Sequence, residues 1–211
     1  MSTLTERHAL IGVGGNLGTK AELLARFLAA ERALRARLEP RVRAVHTRWS
    51  PFYRSAPQGP VRAQPEFLNA VLAVEAGAPL EPRALLSELL AVEAGLGRTR
   101  SPRLAQGPRT IDLDLLFVGD VRSERDGSPA LCLPHPRVAE RAFVLLPLAD
   151  LMGRAWPMPG FARTVADCLR DPDVARQVPT VTRIDAPGSF APRRPAVSPR
   201  RRAPLSGGLR S

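Results

Sequence analysis

The chain has 211 residues, 44% of them hydrophobic and 24% charged, with a formal net charge of +11, which fits one globular domain of ordinary size with an appended segment. No run approaches the ~20 apolar residues of a membrane helix, and the first thirty residues lack the apolar core and cleavage site of a secretory leader, so a cytoplasmic protein with no membrane partner is expected. Cys132 and Cys168 are too few for a disulfide framework, match no metal-binding spacing, and are expected as reduced thiols.

From Arg183 onward, seven arginines stand against one acid, Asp185; this net +6 leaves +5 for the body. The excess belongs largely to the Pro-, Arg-, Ser- and Gly-rich segment 185–211. That segment is too poor in apolar clusters to offset its chain entropy, so it is expected to be disordered, with the folded domain over 1–184. A nucleic-acid-binding arm is the alternative for it. A body of +5 suits an anionic small substrate without requiring nucleic acid.

The elements alternate. Residues 8–13 read as a buried strand running into the glycine cluster Gly12 to Gly18. A helix is expected over 20–38, opened by a Thr19/Glu22 capping box and stopped by Pro40, with Leu23, Leu24, Phe27, Leu28, Leu34 and Leu38 on its apolar face. A strand over 42–49 is followed by a Pro/Gly loop, 50–65. Residues 67–75 read as a strand with Leu68, Ala70, Leu72 and Val74 on one face and Phe67, Asn69 and Val71 on the other. A second helix, 82–95, starts at Pro82, carries Leu85, Leu89 and Val92 inward, and ends at glycines. A basic loop, 98–109, leads into a strand over 110–118. Helices are expected over 138–146 and, more weakly, 163–170. The order β-α-β-β-α-β predicts an α+β fold, a ferredoxin-like sandwich whose helices cover one face of a mainly antiparallel sheet and leave the other open.

The sharpest chemical signal is Gly107-Pro108-Arg109-Thr110-Ile111-Asp112-Leu113-Asp114. Residues two apart in a strand share a face, so Asp112 and Asp114 present two carboxylates together while Ile111, Leu113, Leu115 and Phe117 turn to the core. Adjacent like charges are costly unless a cation lies between them. Mg²⁺ suits such a pair, taking one or two carboxylates and completing its shell with phosphates and water. Arginine caps that filled the space beside the aspartates would count against this reading. So would a solvated edge strand, the plain alternative for an isolated D-x-D. Arg98, Arg100, Arg103 and Arg109 could surround a triphosphate, or form no more than a basic surface loop. Phe67 could stack on a flat ligand while Asn69 reads its edge, although a second apolar layer also explains Phe67. His135, between two prolines, is either structural or a phosphate contact. The glycine cluster fits neither G-x-G-x-x-G nor a P-loop, and reads as a tight structural turn.

Together, GGNLG, SPFYRSAP at 50–57, QPEFLNAV at 64–71, GPRTIDLDLLF at 107–117 and LPHPRVAERAFVLLPLAD at 133–150 resemble the 6-hydroxymethyl-7,8-dihydropterin pyrophosphokinase family in order and spacing. The resemblance covers roughly residues 8–170. It implies diphosphate transfer from ATP, the co-substrate, to the pterin hydroxymethyl group, giving AMP, with two Mg²⁺ ions on Asp112 and Asp114. It implies pterin contacts at Ser55, Gln58, Phe67, Asn69 and Phe143. ATP contacts are implied at Glu93, Arg98, Arg109, Leu115, His135 and Arg141, with Arg98 and Arg109 acting in transfer. A monomer is expected. The chain departs from the family at Ala105-Gln106, where an aromatic residue is common, and at Ala130 and Cys132, where polar or basic side chains are. A relative that binds without efficient transfer is therefore a rival reading.

Overall fold

A computed structural model describes residues 4–58, 61, 63–98, 107–127 and 130–184. Arg100, Arg103, Ala105, Gln106 and the segment 185–211 lie outside the described residues, so the expectations placed on them are not addressed by the structure.

The fold is α+β. Its sheet runs β5-β1-β4-β3-β8, with β2 also on β4. The strands are β1 (His8–Gly15), β2 (Val45–Trp49), β3 (Phe52–Ser55), β4 (Phe67–Ala76), β5 (Asp112–Val118) and β8 (Val181–Ile184), and every pairing is antiparallel. A separate hairpin joins β6 (Ser123–Asp126) to β7 (Leu131–Leu133). The helices are α1 (Lys20–Val42), α2 (Pro82–Gly95), α3 (Ala142–Met152), α4 (Val165–Arg170) and α5 (Pro172–Ala175). No described helix is long and apolar enough to cross a membrane.

Helix α1 starts at the expected Thr19/Glu22 capping box but runs past Pro40 to Val42. Proline removes one hydrogen bond, which the last turn tolerates; Arg43, at φ 64°, ends the helix instead. Strand β2 consequently starts at Val45 rather than 42. Within the expected loop 50–65 lies β3. Pro51 cannot continue the ladder, so Ser50 bridges the break: its N–H donates to the Val71 carbonyl at 2.8 Å, and its hydroxyl accepts from Val71 N–H at 2.9 Å. Strands β2 and β3 thereby pair in succession with β4. Phe27 of α1 stacks on Trp49 with ring centroids 6.0 Å apart, and Trp49 lies 5.5 Å from Phe52. These rings fix β3, and with it Ser55, against α1.

One sheet face buries Ile11, Val13, Leu68, Ala70, Leu72, Leu113 and Leu115 under α1 and α2. The opposite face is only partly open, contrary to expectation: Leu10, Tyr53, Val71, Leu116 and Phe117 are buried with Leu145 and Leu148 of α3 and Val165 of α4. Phe117 belongs to this second layer because a β-bulge shifts the β1–β5 register between Leu10↔Phe117 and Ile11↔Leu115. The bulge reverses side-chain alternation beyond Leu116. The helix expected over 138–146 is a 3₁₀ turn, Val138–Glu140, then α3, separated at Arg141 by extended backbone (φ −122°, ψ 111°).

Gly15 closes β1 against the start of β5. A Cβ there would stand 2.8 Å from the Thr110 carbonyl oxygen, whereas one on Gly14 would meet nothing closer than 3.4 Å. Gly15→Ala is therefore expected to destabilise the fold by about 1–3 kcal/mol, the range for overpacking a tight site. Urea unfolding measures this, with Gly14→Ala as the milder comparison; equal midpoints for Gly15→Ala and wild type would contradict the assigned clash.

Candidate active site

The register of four strands assembles the site on the part of the second face that α3 leaves bare. Gly14 lies between Asn69 of β4 and Asp112 of β5, Gly12 lies opposite Asp114, and Ser55 lies opposite Phe67. All share one face, because directly paired residues in an antiparallel sheet project to the same side. They line a cleft with an empty volume of about 720 Å³, open solvent included, whose walls also carry Gln58, Arg109, Arg137, Arg141 and Phe143.

The floor is glycine. Gly12 and Gly14 are interior strand residues and not parts of a turn, which corrects the reading of the glycine cluster. A Cβ on Gly14 would stand 3.4 Å from Asn69 Oδ1, and one on Gly12 would stand 3.7 Å from Asp114 Cβ. Alternate glycines thus keep the floor free of side chains between the amide and the carboxylates. Asn16, 1% exposed, ties three loops together. Its Oδ1 accepts from Arg109 N–H at 2.8 Å, and its Nδ2 donates to Gln64 Oε1 at 3.1 Å and the Pro65 carbonyl at 3.0 Å. Asn69 Nδ2 donates to Ser55 Oγ at 2.9 Å.

Asp112 and Asp114 do project together, but their surroundings differ. Asp112 is capped by Arg98 on one oxygen and Arg109 on the other. Arg98 is shared with Glu93, which is 1% exposed and also accepts from Leu113 N–H at 2.7 Å. Glu93 thus grips the backbone between the two aspartates. Asp114 faces the cleft, with Arg141 Nη1 3.9 Å away. The arginine caps foreseen as a counter-indication are present on Asp112; among the described residues, the arginine paired with Asp114 is Arg141, at the long distance of 3.9 Å.

Burial beneath the cleft walls, and next the Asp112 charge, raise the Asp114 carboxyl to about 7. The side chain keeps 39% of its exposure, so solvent screens part of this effect and the upward direction is the firm result. Between an ordinary carboxylate value near 4 and about 7, the folded protein holds a proton that the unfolded chain has released. This contribution to stability is full at low pH and is lost as pH rises through that window. Thermal unfolding without divalent cations is expected to show a falling Tm from pH 5.5 to 8, and Asp114→Asn should flatten that slope. An equal slope in the variant would contradict the assignment.

His135 is pushed down to about 4, first by burial and then by the Arg141 charge, so it is neutral near pH 7. Its Nδ1 accepts from Arg137 N–H at 3.2 Å, which assigns the ring proton to Nε2. Burial also lowers Arg141. Each cleft aromatic carries an arginine: Arg109 Cζ lies 5.5 Å from the Phe67 centroid and Arg141 Cζ 5.6 Å from that of Phe143, within cation–π range.

Of the residues singled out in the sequence, Ser55, Gln58, Phe67, Asn69, Arg109, Asp112, Asp114, Arg141 and Phe143 line one cleft. Arg98 and Glu93 stand behind it, joined to Asp112. Leu115 does not reach it: its side chain is buried in the layer under α1 and α2, so only its main chain could serve a ligand. Arg137, Gly12, Gly14 and Asn16 went unassigned. Glycines two apart inside a strand were a usable signal for the floor.

Known proteins resemble this chain in sequence and in fold. A family model for 7,8-dihydro-6-hydroxymethylpterin-pyrophosphokinase (HPPK) matches residues 10–153. The chain is 35% identical over 184 residues to the 2-amino-4-hydroxy-6-hydroxymethyldihydropteridine pyrophosphokinase of Synechocystis sp., covering 87% of this chain and 86% of that protein. It is 43% identical over 149 residues to the protein of the same name from Methylorubrum extorquens, covering 68% of this chain and 82% of the other. The solved structure of Plasmodium falciparum HPPK-DHPS with pteroate is similar in fold, with a TM-score of 0.56 at 13% identity over 83% of this chain. The chain spans about half of that longer protein, 47%.

Proposed function

The chain belongs to the 7,8-dihydro-6-hydroxymethylpterin-pyrophosphokinase family, and from that premise we propose how its cleft carries out the family's reaction. It is an ATP-dependent pyrophosphokinase of folate biosynthesis, transferring diphosphate to 6-hydroxymethyl-7,8-dihydropterin and giving AMP. The observation that carries the site assignment is the convergence of Asp112, Asp114, Arg109, Arg141, Asn69, Phe67 and Phe143 on one glycine-floored cleft.

The pterin ring lies against Phe67 and Phe143, with its edge read by Asn69 and by groups around Ser55 and Gln58. Asn69 is held by Ser55, which leaves its Oδ1 beside the Gly14 floor. The hydroxymethyl oxygen bonds to the β-phosphorus, the bond from that phosphorus to the α–β bridging oxygen breaks, and AMP leaves with that oxygen. The hydroxyl proton is released in the same step. Arg98, Arg109 and Arg141 neutralise charge on the transferring group, and neutral His135 offers Nε2–H to a phosphate oxygen. Such transfers depend mainly on positioning and charge neutralisation.

Asp112 and Asp114 are the proposed Mg²⁺ ligands. Among the described residues no cluster of three or more His, Cys, Asp or Glu side chains is placed to hold a metal, and the protein donors proposed are this pair alone. That is what Mg²⁺ takes when phosphates and water fill its remaining positions. Asp114, raised first by burial and then by the Asp112 charge, is the group a cation would relieve. Two bound ions would neutralise the triphosphate and align the attacking and leaving oxygens. Arg98 and Arg109 would then exchange Asp112 for phosphate.

The order β1-α1-β2/β3-β4-α2-β5, with β1 and β4 central, supports the ferredoxin-like reading of the core. A sequence with only two cysteines, Cys132 and Cys168, suits a reducing compartment such as the cytoplasm. Product analysis with ATP, Mg²⁺ and 6-hydroxymethyl-7,8-dihydropterin tests the reaction. AMP and the pterin diphosphate ester are expected in equal amounts; ADP with a monophosphate ester, or no pterin-dependent product, would overturn the reading.

A further inference from the structure

We infer that Gln177, on the segment following α5 and beyond the residues 10–153 matched by the family model, is a positioning residue that clamps the two walls of the pterin end of the cleft to each other. This rests on the pyrophosphokinase reading of the same cleft and adds a residue to it. The Gln177 side chain makes four hydrogen bonds. Its Oε1 accepts from Gln58 Nε2 at 2.8 Å and from Ala142 N–H at 3.0 Å, and its Nε2 donates to the carbonyls of Glu140 at 2.9 Å and Asp173 at 3.1 Å. The backbone partners fix the orientation of the amide, since Ala142 N–H can only donate and the two carbonyls can only accept.

What it joins gives the bond its consequence. Gln58 stands on the wall that continues β3. Ala142 stands between Arg141 and Phe143 at the first turn of α3, on the other wall. The N-cap of α3 is Arg141, and it makes no side-chain capping bond; its guanidinium lies over Phe143 and toward Asp114. The first N–H groups of a helix need an acceptor, and Gln177 supplies from outside the helix the cap that Arg141 does not. The chain after Gln177 is anchored to the same wall: Ala56 N–H donates to the Thr180 carbonyl at 3.3 Å, and Ser55 pairs with Val181. The 172–184 segment thus fixes how far Phe143 stands from the Ser55–Gln58 wall.

The test is Gln177→Met, which keeps the side-chain length and removes all four bonds. The KM for 6-hydroxymethyl-7,8-dihydropterin is expected to rise about 5–20-fold, on the scale of losing a few modest hydrogen bonds. The rise in pterin KM should exceed any change in kcat or in KM for ATP, because the Gln177 side chain bonds main-chain groups on either side of Arg141 and not the side chains of Asp112, Asp114, Arg98, Arg109 or Arg141. An unchanged pterin KM, or pterin and ATP constants rising together with a lowered Tm, would overturn the inference. If Gln177→Met does not fold, Gln177→Glu keeps the acceptor for Gln58 Nε2 and Ala142 N–H and loses the two bonds donated to the Glu140 and Asp173 carbonyls; a raised pterin KM supports the clamp and an unchanged one overturns it. Wild-type turnover is measured in the same preparation. Its absence overturns the underlying reaction and this inference together, whereas wild-type turnover with an unchanged pterin KM in the variant overturns the clamp alone.

Discussion

Asp114→Asn and Asp112→Asn are each expected to lower kcat by at least about 10²–10³-fold, the scale of removing one preorganised charge-stabilising group from a transfer site, while leaving a folded protein. Asparagine preserves size and hydrogen-bonding shape, so packing on β5 is unchanged. It removes the charge a hard cation requires. The two variants should separate in stability. Asp114→Asn removes a carboxylate whose ionisation is opposed first by burial and then by the Asp112 charge, so without divalent cations its Tm at pH 8 should exceed that of wild type. Asp112→Asn loses ion pairs to Arg98 and Arg109 and should gain nothing. Steady-state kinetics with saturating ATP and pterin, beside thermal melts, read both effects. Wild-type turnover in either variant would remove the carboxylate pair from the mechanism.

Glu93→Ala should have the largest effect on folding. Glu93 is 1% exposed, is ion-paired with Arg98, and accepts Leu113 N–H at 2.7 Å. Removing it leaves the largely buried Arg98 paired with Asp112 alone, at a cost of about 3 kcal/mol, the lower end for breaking a buried ion pair. The Leu113 N–H would lose its acceptor as well. Because Leu113 separates the two aspartates, the damage should also reach turnover. Glu93→Gln keeps an acceptor for Leu113 N–H and should recover part of the stability, with a weaker hold on Arg98. Urea unfolding of the two variants measures the difference, and a Glu93→Ala midpoint equal to wild type would contradict the structural role given to this carboxylate.

The elements with long, regular hydrophobic periods were legible in the sequence: β1, α1, β4, α2 and β5 stand close to where their patterns put them. Strands of three or four residues, such as β3, β7 and β8, are too short to show a period, and their pairing depends on partners far along the chain. The second layer was missed for a related reason. Helix α3 is apolar nearly all round and carries Pro147, so its pattern does not say which sheet face it covers. Phe117 was placed on the wrong face because a bulge is a property of two strands in register and not of one sequence. The aspartate pair was legible because side-chain alternation in a strand is local. The Asn16 bridge and the Gln177 clamp were not, since Asn16 reaches partners 48 to 93 positions away and Gln177 joins walls 35 to 119 positions away.

The central claim is that the carboxylates of Asp112 and Asp114 hold divalent cations beside the triphosphate during diphosphate transfer. A Mg²⁺ titration of pterin-dependent AMP formation tests it most directly, using wild type and the Asp112→Asn/Asp114→Asn double variant at fixed ATP. The expected result is no AMP without Mg²⁺, a saturable rise in wild type, and no recovery in the double variant at any Mg²⁺ concentration. AMP formation in wild type without divalent cations, or the same Mg²⁺ dependence in the double variant, would contradict it.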